Sequence, residues 1–288
     1  MTELRFSDII LNNKDKILRI RKVRCGMNHE KLRRLTATLC TVVSCADETG
    51  STNTDARALL AEYPEADTIL LTADRQTGGR GRQGKSFVSP VGGLYMTLVM
   101  KTGAPLESVV NVTSCAAVAA ARALAEQGIS CGIKWVNDLY LNGAKLAGIL
   151  VESVNDYETM RSEAVIIGIG VNVARNIFPE GIHAVSLEEA GYSVDPEELC
   201  AAIVRELLQI RENGFDFACY AEEYRERSIV LGKDVYFLKN GKTIDGRAEA
   251  IDGRGGLLVR AGDALYTLDS GEITLRLGNQ QRSRENKL

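Results

Sequence analysis

Two short runs in the chain hold residue types that do chemistry. Lys134-Trp-Val-Asn-Asp138 is followed by Lys145-Leu-Ala-Gly-Ile-Leu-Val-Glu152, with Asn142-Gly143 between them. Asn-Gly between apolar runs signals a hairpin turn, so Asp138 falls on the outgoing strand and Lys145 on the returning one. Cross-strand neighbours lie a few ångströms apart, which lets this carboxylate and ammonium face one cavity. In isolation, a turn cap at Asp138 and a solvated edge-strand charge at Lys145 would be the plainer reading.

The second run, Gly79-Arg-Gly-Arg-Gln-Gly-Lys-Ser86, matches the phosphate-cradling expression G-x-x-x-x-G-K-[ST]. Its surroundings oppose that reading. A phosphate loop leads from a strand into a helix whose N-terminal amides hold the anion. Here Ser86 leads into Phe87-Val-Ser-Pro-Val-Gly92-Gly93, a turn and then a strand, and no strand ending in a metal-binding aspartate follows. What remains is a loop alternating glycine with arginine, free in its backbone and carrying guanidinium groups that stay charged. It can close over an anion, and as a bare loop it also reads as an exposed surface turn. Gly168-Ile-Gly170 lacks the third glycine of a dinucleotide fingerprint and is read as close strand packing.

Regular elements must position these runs. Thr41 to Cys45 is a β-branched strand run, and Ala56, Leu59, Leu60 and Tyr63 make one face of a helix opened by a Thr52/Asp55 capping box. Thr68 to Ala73 and Leu94 to Met100 read as strands, and an Ala-rich helix is expected from about Leu106 to Gln127. Ile133 to Leu141 and Ala144 to Glu152 form the hairpin, with a further strand at Val165 to Val173. Asp195-Pro-Glu-Glu caps a helix bearing Leu199, Ile203, Leu207 and Ile210 on one face. From Gly232 onward short runs are punctuated by Asn240-Gly241, Asp252-Gly253 and Gly255-Gly256, the texture of a small all-β module. The expected organisation is a basic N-terminal extension over 1–40, a catalytic domain over 41–230, a small β-barrel over 231–277 and a polar tail over 278–288.

The chain has 288 residues, 45% apolar and 25% charged, which excludes disorder for its bulk. A net charge of −3 opposes a dedicated nucleic-acid binder. Lys14 to Arg34 nevertheless carries about +7. That stretch reads as a solvated tail or loose basic helix, or as a nucleic-acid arm, and residues before Met27 as an upstream extension. It lacks the pair of apolar-faced helices of a helix-turn-helix, so no operator DNA is expected as a partner. Seven cysteines without C-x-x-C spacing and only two histidines argue for reduced thiols rather than disulfides or structural zinc. No apolar window of membrane-spanning length occurs, so the chain reads as soluble and cytoplasmic.

Ser51-Thr-Asn53, Gln76, Gly79 to Lys85, the K-W-x-N-D run, K-L-A-G-I-L-V-E and Gly168-Ile-Gly-Val-Asn172 follow one another in an order found in a single family. From about Thr41 to the closing Ser270-Gly-Glu-Ile-Thr-Leu-Arg276, the chain resembles the biotin protein ligases. The resemblance implies an α+β fold, a mixed sheet packed with helices in a class II synthetase-like core, plus a small C-terminal all-β barrel. It implies that biotin and ATP, with Mg²⁺, give biotinyl-5′-AMP, and that biotin then passes to a lysine of a biotin carboxyl carrier protein. By the same resemblance Ser51, Thr52, Asn53 and Gln76 read the biotin urea. Arg80, Gly81 and Arg82 cover its carboxylate, and Lys145 holds the activated group. Arg80, Arg82, Lys85, Asn137 and Asn172 serve the adenylate, and Asp138 orients or deprotonates the attacking amine. Trp135 and Phe87 offer apolar area beside ligand or core, and Arg276 a reach to phosphate or a surface role.

Gln83 and Lys85 stand where bifunctional members carry further arginines, Phe87 replaces a tryptophan and Val136 a proline, which bears on loop closure and turn rigidity. With no preceding DNA-reading domain, a monofunctional ligase is expected. A lipoate or octanoate transferase of the same superfamily is the alternative, followed by a non-catalytic biotin sensor. A homodimer through a sheet edge stays open.

Overall fold

A computed structural model describes residues 26–269 and 273–275. Most of the basic N-terminal stretch, Ser270 to Glu272, Arg276 and the tail 278–288 lie outside the described residues.

The first element among the described residues is a helix, α1 (His29–Thr36), capped by the Asn28 side chain accepting from Lys31 N. Of the expected solvated tail or loose basic helix, this part is a helix, and it is docked rather than loose. Leu32 and Thr36 are fully buried, and the Lys31 ammonium holds Asp195 at 2.6 Å and Glu198 at 3.0 Å. Then come β1 (Val42–Thr49), α2 (Thr52–Glu62), β2 (Thr68–Gln76) and β3 (Leu94–Lys101). The expected long helix is two, α3 (Leu106–Val109) and α4 (Val112–Glu126). The break falls at Val110-Asn111, after a pair of β-branched residues, where a weak helix former takes a non-helical ψ of 7°. The chain continues through β4 (Gly132–Lys134), β5 (Asp138–Leu141), β6 (Ala144–Asp156), β7 (Arg161–Val171), α5 (Pro196–Glu212) and α6 (Ala221–Glu226).

The seven strands form one mixed sheet in the order β1-β2-β3-β7-β6-β5-β4, with β1 and β2 parallel and the other pairs antiparallel. Its two faces are covered differently. On one face Leu70, Met96, Leu98, Ile167 and Ile169 pack beneath α4 and α5 in the main core. On the other, Ile69, Leu71, Val99, Ala164 and Ile166 meet Ala56, Leu59 and Leu60 of α2. Side chains alternate along a strand, so Ala164, Ile166, Gly168 and Gly170 of β7 share the α2 face. The first two lie in the cluster under the helix, whereas the two glycines line an open cavity.

After α6 the chain enters β8 (Asp234–Lys239), β9 (Lys242–Ile251), β10 (Leu257–Ala261), β11 (Ala264–Leu268) and β12 (Ile273–Leu275). These form an antiparallel five-stranded sheet ordered β11-β10-β9-β8-β12. The expected barrel is not closed by strand pairing among the described residues, because β11 and β12 sit at opposite ends. Val235, Phe237, Leu257, Val259 and Ile273 are buried and join the main core. The six described cysteines are free thiols, and no described helix is long and apolar enough to cross a membrane.

Candidate active site

The cavity, of about 450 Å³, opens on the α2 face and is walled by the start of α2, the loop after β2, the β5–β6 hairpin and β7. Asn142 and Gly143 both have positive φ, 52° and 81°, which makes the expected hairpin turn. Lys145 Nζ reaches Asp138 Oδ1 at 2.8 Å, so the pair does face one cavity. The expected strand Ile133 to Leu141 is instead two, because the chain reverses at Trp135-Val136-Asn137 and β4 pairs antiparallel with β5, Lys134 opposite Asp138. Tertiary partners hold this turn. Trp135 Nε1 donates to Gly255 O, in the loop between the β9 and β10 segments of the C-terminal unit, at 3.0 Å, Tyr224 Oη donates to Val136 O at 3.1 Å, and the Asn137 amide donates to Ile149 O at 2.8 Å. The Trp135–Val136 peptide is cis. Burial pushes the Tyr224 phenol well above its ordinary range, which keeps it a neutral donor.

At the other end, Ser51 is the N-cap of α2 by backbone geometry but makes no capping bond through its side chain. The expected Thr52/Asp55 box does not form. Thr49 Oγ1 takes the Asp55 carboxylate, and Thr52 turns to Gln76, whose Oε1 accepts from Thr52 N at 2.9 Å and Thr52 Oγ1 at 3.1 Å. Gln76 Nε2 donates to Ser89 Oγ at 2.8 Å. The Thr97 hydroxyl lies 2.9 Å from Thr52 Oγ1 and 2.7 Å from the Asn53 carboxamide oxygen. Asn53 Nδ2 donates to Leu150 O at 3.3 Å and Glu152 Oε2 at 3.0 Å. Gly168 admits this arrangement, since a Cβ there would overlap the Asn53 carboxamide. Close packing at Gly168-Ile-Gly170, expected from the sequence, is thus packing against site residues. A Cβ on Gly170 would meet the Phe87 ring at 2.5 Å.

The glycine-arginine loop reverses through positive φ at Gln83 (55°) and Gly84 (75°), closed by Gly81 N donating to Lys85 O at 2.7 Å. No helix follows Ser86, and the next element is β3, so the phosphate-loop expression is coincidental here. Arg80 Nη2 pairs with Glu152 Oε1 at 3.1 Å, and Arg82 Nη1 lies 3.5 Å from Asn137 Oδ1. Phe87 stands edge-on to Tyr95, with the Lys145 ammonium 5.8 Å from its ring centre. Ser51, Thr52, Asn53, Gln76, Arg80, Gly81, Arg82, Lys85, Asn137, Asp138 and Lys145 all line the cavity. Asn172 instead sits behind the wall, where its amide donates to Val185 O at 3.2 Å and lies 3.4 Å from Lys145 O. Its place there is to fix the Lys145 backbone.

Sequence reasoning missed several residues. Thr97 was legible as a polar break in an apolar strand, and Glu152 as the acidic end of the K-L-A-G-I-L-V-E run, though neither had a role. Lys134, which opens the K-W-x-N-D run but received no role of its own, also lines the cavity, as do His183 and Ile273, the last from the small sheet, which carried no local signal. His29, Asp47 and Asp74 bring ligand-type atoms within 4.8 Å of one another on the α1–β1–β2 side, apart from the cavity wall.

The cavity therefore offers a polar end of buried hydroxyls and carboxamides, an apolar middle of glycine, leucine and phenylalanine, and a mouth where Arg80, Arg82, Lys85, Lys134 and Lys145 outnumber Asp138. Such an order suits an elongated ligand with a small polar head, an apolar body and a growing anionic charge.

Comparisons with known proteins agree with this geometry. Residues 46–172 match the family model described as the biotin/lipoate A/B protein ligase family, and residues 230–276 match the biotin protein ligase C terminal domain. The biotin–[acetyl-CoA-carboxylase] ligase of Paracoccus denitrificans is 33% identical over 241 residues, covering 78% of this chain and 97% of the relative. The bifunctional ligase/repressor BirA of Bacillus subtilis is 32% identical over 236 residues, covering 75% and 69%. Among solved structures, the Aquifex aeolicus biotin protein ligase in complex with biotin and ATP superimposes with a TM-score of 0.65 at 27% identity, over 82% of this chain and 99% of that one.

Proposed function

The chain belongs to the biotin protein ligase family, and we propose that it joins biotin to ATP as biotinyl-5′-AMP and then transfers biotin to a lysine of a biotin carboxyl carrier protein. The observation that carries the reading is the three-part cavity, polar at Asn53 and Gln76, apolar at Gly170 and Phe87, and cationic at Arg80 and Lys145. A cyclic urea needs paired donors and acceptors once buried, and Ser51, Thr52, Asn53 and Gln76 supply both kinds. The bicycle and valeryl chain fit over the glycines of β6 and β7. Arg80, Gly81, Arg82 and Lys145 then meet the carboxylate.

In the first step a carboxylate oxygen attacks the α-phosphorus of ATP while the bond to pyrophosphate breaks. Two anions must approach, so cations fixed at the mouth lower the barrier. Arg80, Arg82, Lys85 and Asn137 are proposed for the adenylate, with Asn172 supporting Lys145 from behind. Were magnesium bound with the nucleotide, Asp138 is the wall carboxylate that would help hold it, and the ion would supply positive charge against the phosphates. In the second step the carrier amine attacks the mixed anhydride carbonyl, AMP leaves, and the amine proton passes to Asp138. A separate match to the biotin ligase C-terminal domain favours biotin over lipoate as substrate.

The test is transfer of labelled biotin to a purified apo carrier domain, with and without ATP and Mg²⁺. ATP-dependent labelling is expected, and its absence with folded enzyme would overturn the reading. We also propose that the protein binds no biotin-operon DNA, and a specific gel shift would refute that.

A further inference from the structure

Glu152 takes no part in the proposal above, yet its carboxylate joins the two ends of the cavity. It lies on β6 two residues beyond Leu150 and four beyond Gly148, on the α2 face. One oxygen accepts from the Asn53 amide at 3.0 Å, and the other holds the Arg80 guanidinium at 3.1 Å. Asn53 in turn meets Thr97, Thr97 meets Thr52, and Thr52 donates to Gln76. The result is an unbroken hydrogen-bonded path from the polar end of the cavity to the glycine-arginine loop.

The two contacts of Glu152 differ in kind. Asn53 is 3% exposed, so its amide depends on a protein acceptor for its hydrogens. The Arg80 side chain is 50% exposed, so its pairing is screened by water and weak enough to exchange for another anion. A carboxamide can also be turned end for end with little change in shape. In this site the carboxylate beside its nitrogen and the Thr97 hydroxyl beside its oxygen fix which end is which.

We propose that Glu152 is a positioning residue that fixes the Asn53 carboxamide for the biotin urea and parks Arg80 at the cavity mouth until a ligand anion claims it. The inference rests on the ligase reading and names how the two ends of that site are coupled. Recognition of the head group at Asn53 is transmitted through one carboxylate to the loop that meets the reacting anions. Both functions come from the same side chain, so they separate by substitution. Glu152→Gln keeps an acceptor for Asn53 and gives up the charge that holds Arg80. Glu152→Ala removes both.

The experiment uses the full chain and three readouts. Limited trypsin digestion of ligand-free protein, followed by mass spectrometry, reports loop release as cleavage after Arg82 and Lys85. Calorimetry reports biotin affinity, and steady-state kinetics reports KM for ATP. Glu152→Gln is expected to speed loop cleavage and raise KM for ATP by about fivefold or more, with a smaller loss of biotin affinity than Glu152→Ala. Glu152→Ala is expected to weaken biotin binding by about tenfold as well. In an Arg80→Ala background, Glu152→Gln should add nothing to cleavage, because its partner is gone. Wild-type cleavage and KM in Glu152→Gln, or an additive effect with Arg80→Ala, would overturn the hold on Arg80. Wild-type biotin affinity in Glu152→Ala would overturn the hold on Asn53. Should Glu152→Ala fail to fold, reversal of the Asn53 amide is tested by Glu152→Lys, which offers no acceptor and is expected to weaken biotin binding equally. Loop cleavage does not depend on catalysis, so failure of wild-type carrier labelling would strike the ligase reading and leave the Glu152–Arg80 result standing.

Discussion

Lys145 Nζ lies 2.8 Å from Asp138 Oδ1 and 5.8 Å from the centre of the Phe87 ring, so one ammonium is held between the carboxylate that balances it and an aromatic face. Lys145→Ala removes a cation from the place where negative charge gathers during adenylation. Biotinyl-adenylate formation should fall about 10²- to 10³-fold. Asp138→Asn keeps the shape and should slow carrier labelling more than pyrophosphate release. Single-turnover measurements of both products distinguish the two effects, and equal slowing of the two steps would remove Asp138 from the transfer reaction.

Gly168 leaves room for the Asn53 carboxamide. A methyl group there must displace Asn53 or part β7 from α2, at a cost of about 1–3 kcal/mol. Gly168→Ala should weaken biotin binding by about tenfold or more in calorimetry. Unchanged affinity would mean that Asn53 does not read the ligand.

Trp135 is the chain's single tryptophan, and its indole N–H donates to Gly255 O in the loop between β9 and β10. Trp135→Phe leaves that carbonyl without its donor and should cost about 1–3 kcal/mol. Calorimetry should record a fall in Tm of roughly 2–6 °C. The same indole lines the cavity, so intrinsic fluorescence of the unmodified protein should change on titration with biotin and ATP. A silent titration with bound ligand would place both away from Trp135.

Partial burial pushes the Glu223 carboxyl up, but hydrogen bonds from Arg122 and Arg227 outweigh it and hold the group below its ordinary 4.5. A carboxyl with a depressed folded value stabilises the fold above its unfolded value and loses that contribution as pH falls through the folded one. The Tm advantage of wild type over Glu223→Gln should therefore be constant near neutrality and shrink below about pH 4.5. A gap independent of pH would show that the ion pairs add nothing to stability.

Local pattern made much of this legible. The Asn142-Gly143 turn, the Asp195-Pro196 helix start and the alternating strand residues are set by nearby chain, and they appear where expected. What escaped depends on distant partners. The expected strand through Trp135 to Asn137 turns back on itself there, and the turn is held by Gly255, Tyr224 and Ile149, none of them adjacent in sequence. Thr52 abandons its capping box for Gln76, 24 residues on. Leu32 is buried in the main core, and its helix packs chiefly on α5, which begins at residue 196. For the site, the glycine-arginine loop and the Asp138–Lys145 pair were visible as residue types. Glu152 was visible as a residue type but not in its role, because that lies in joining Asn53 to Arg80, 99 and 72 residues away.

Gln76 ends β2 and Lys145 is the second residue of β6, and β3 and β7 stand between those strands. A small molecule gripping both acts as a strut across the middle of the sheet. It can be held only after every intervening strand has found its neighbour, so occupancy and global folding become one measurement. Added biotin should then raise the unfolding temperature of the whole catalytic unit in step with RT ln(1 + [L]/Kd). A fragment ending before β7 would have both ends of the ligand's path in its sequence and nowhere to hold it.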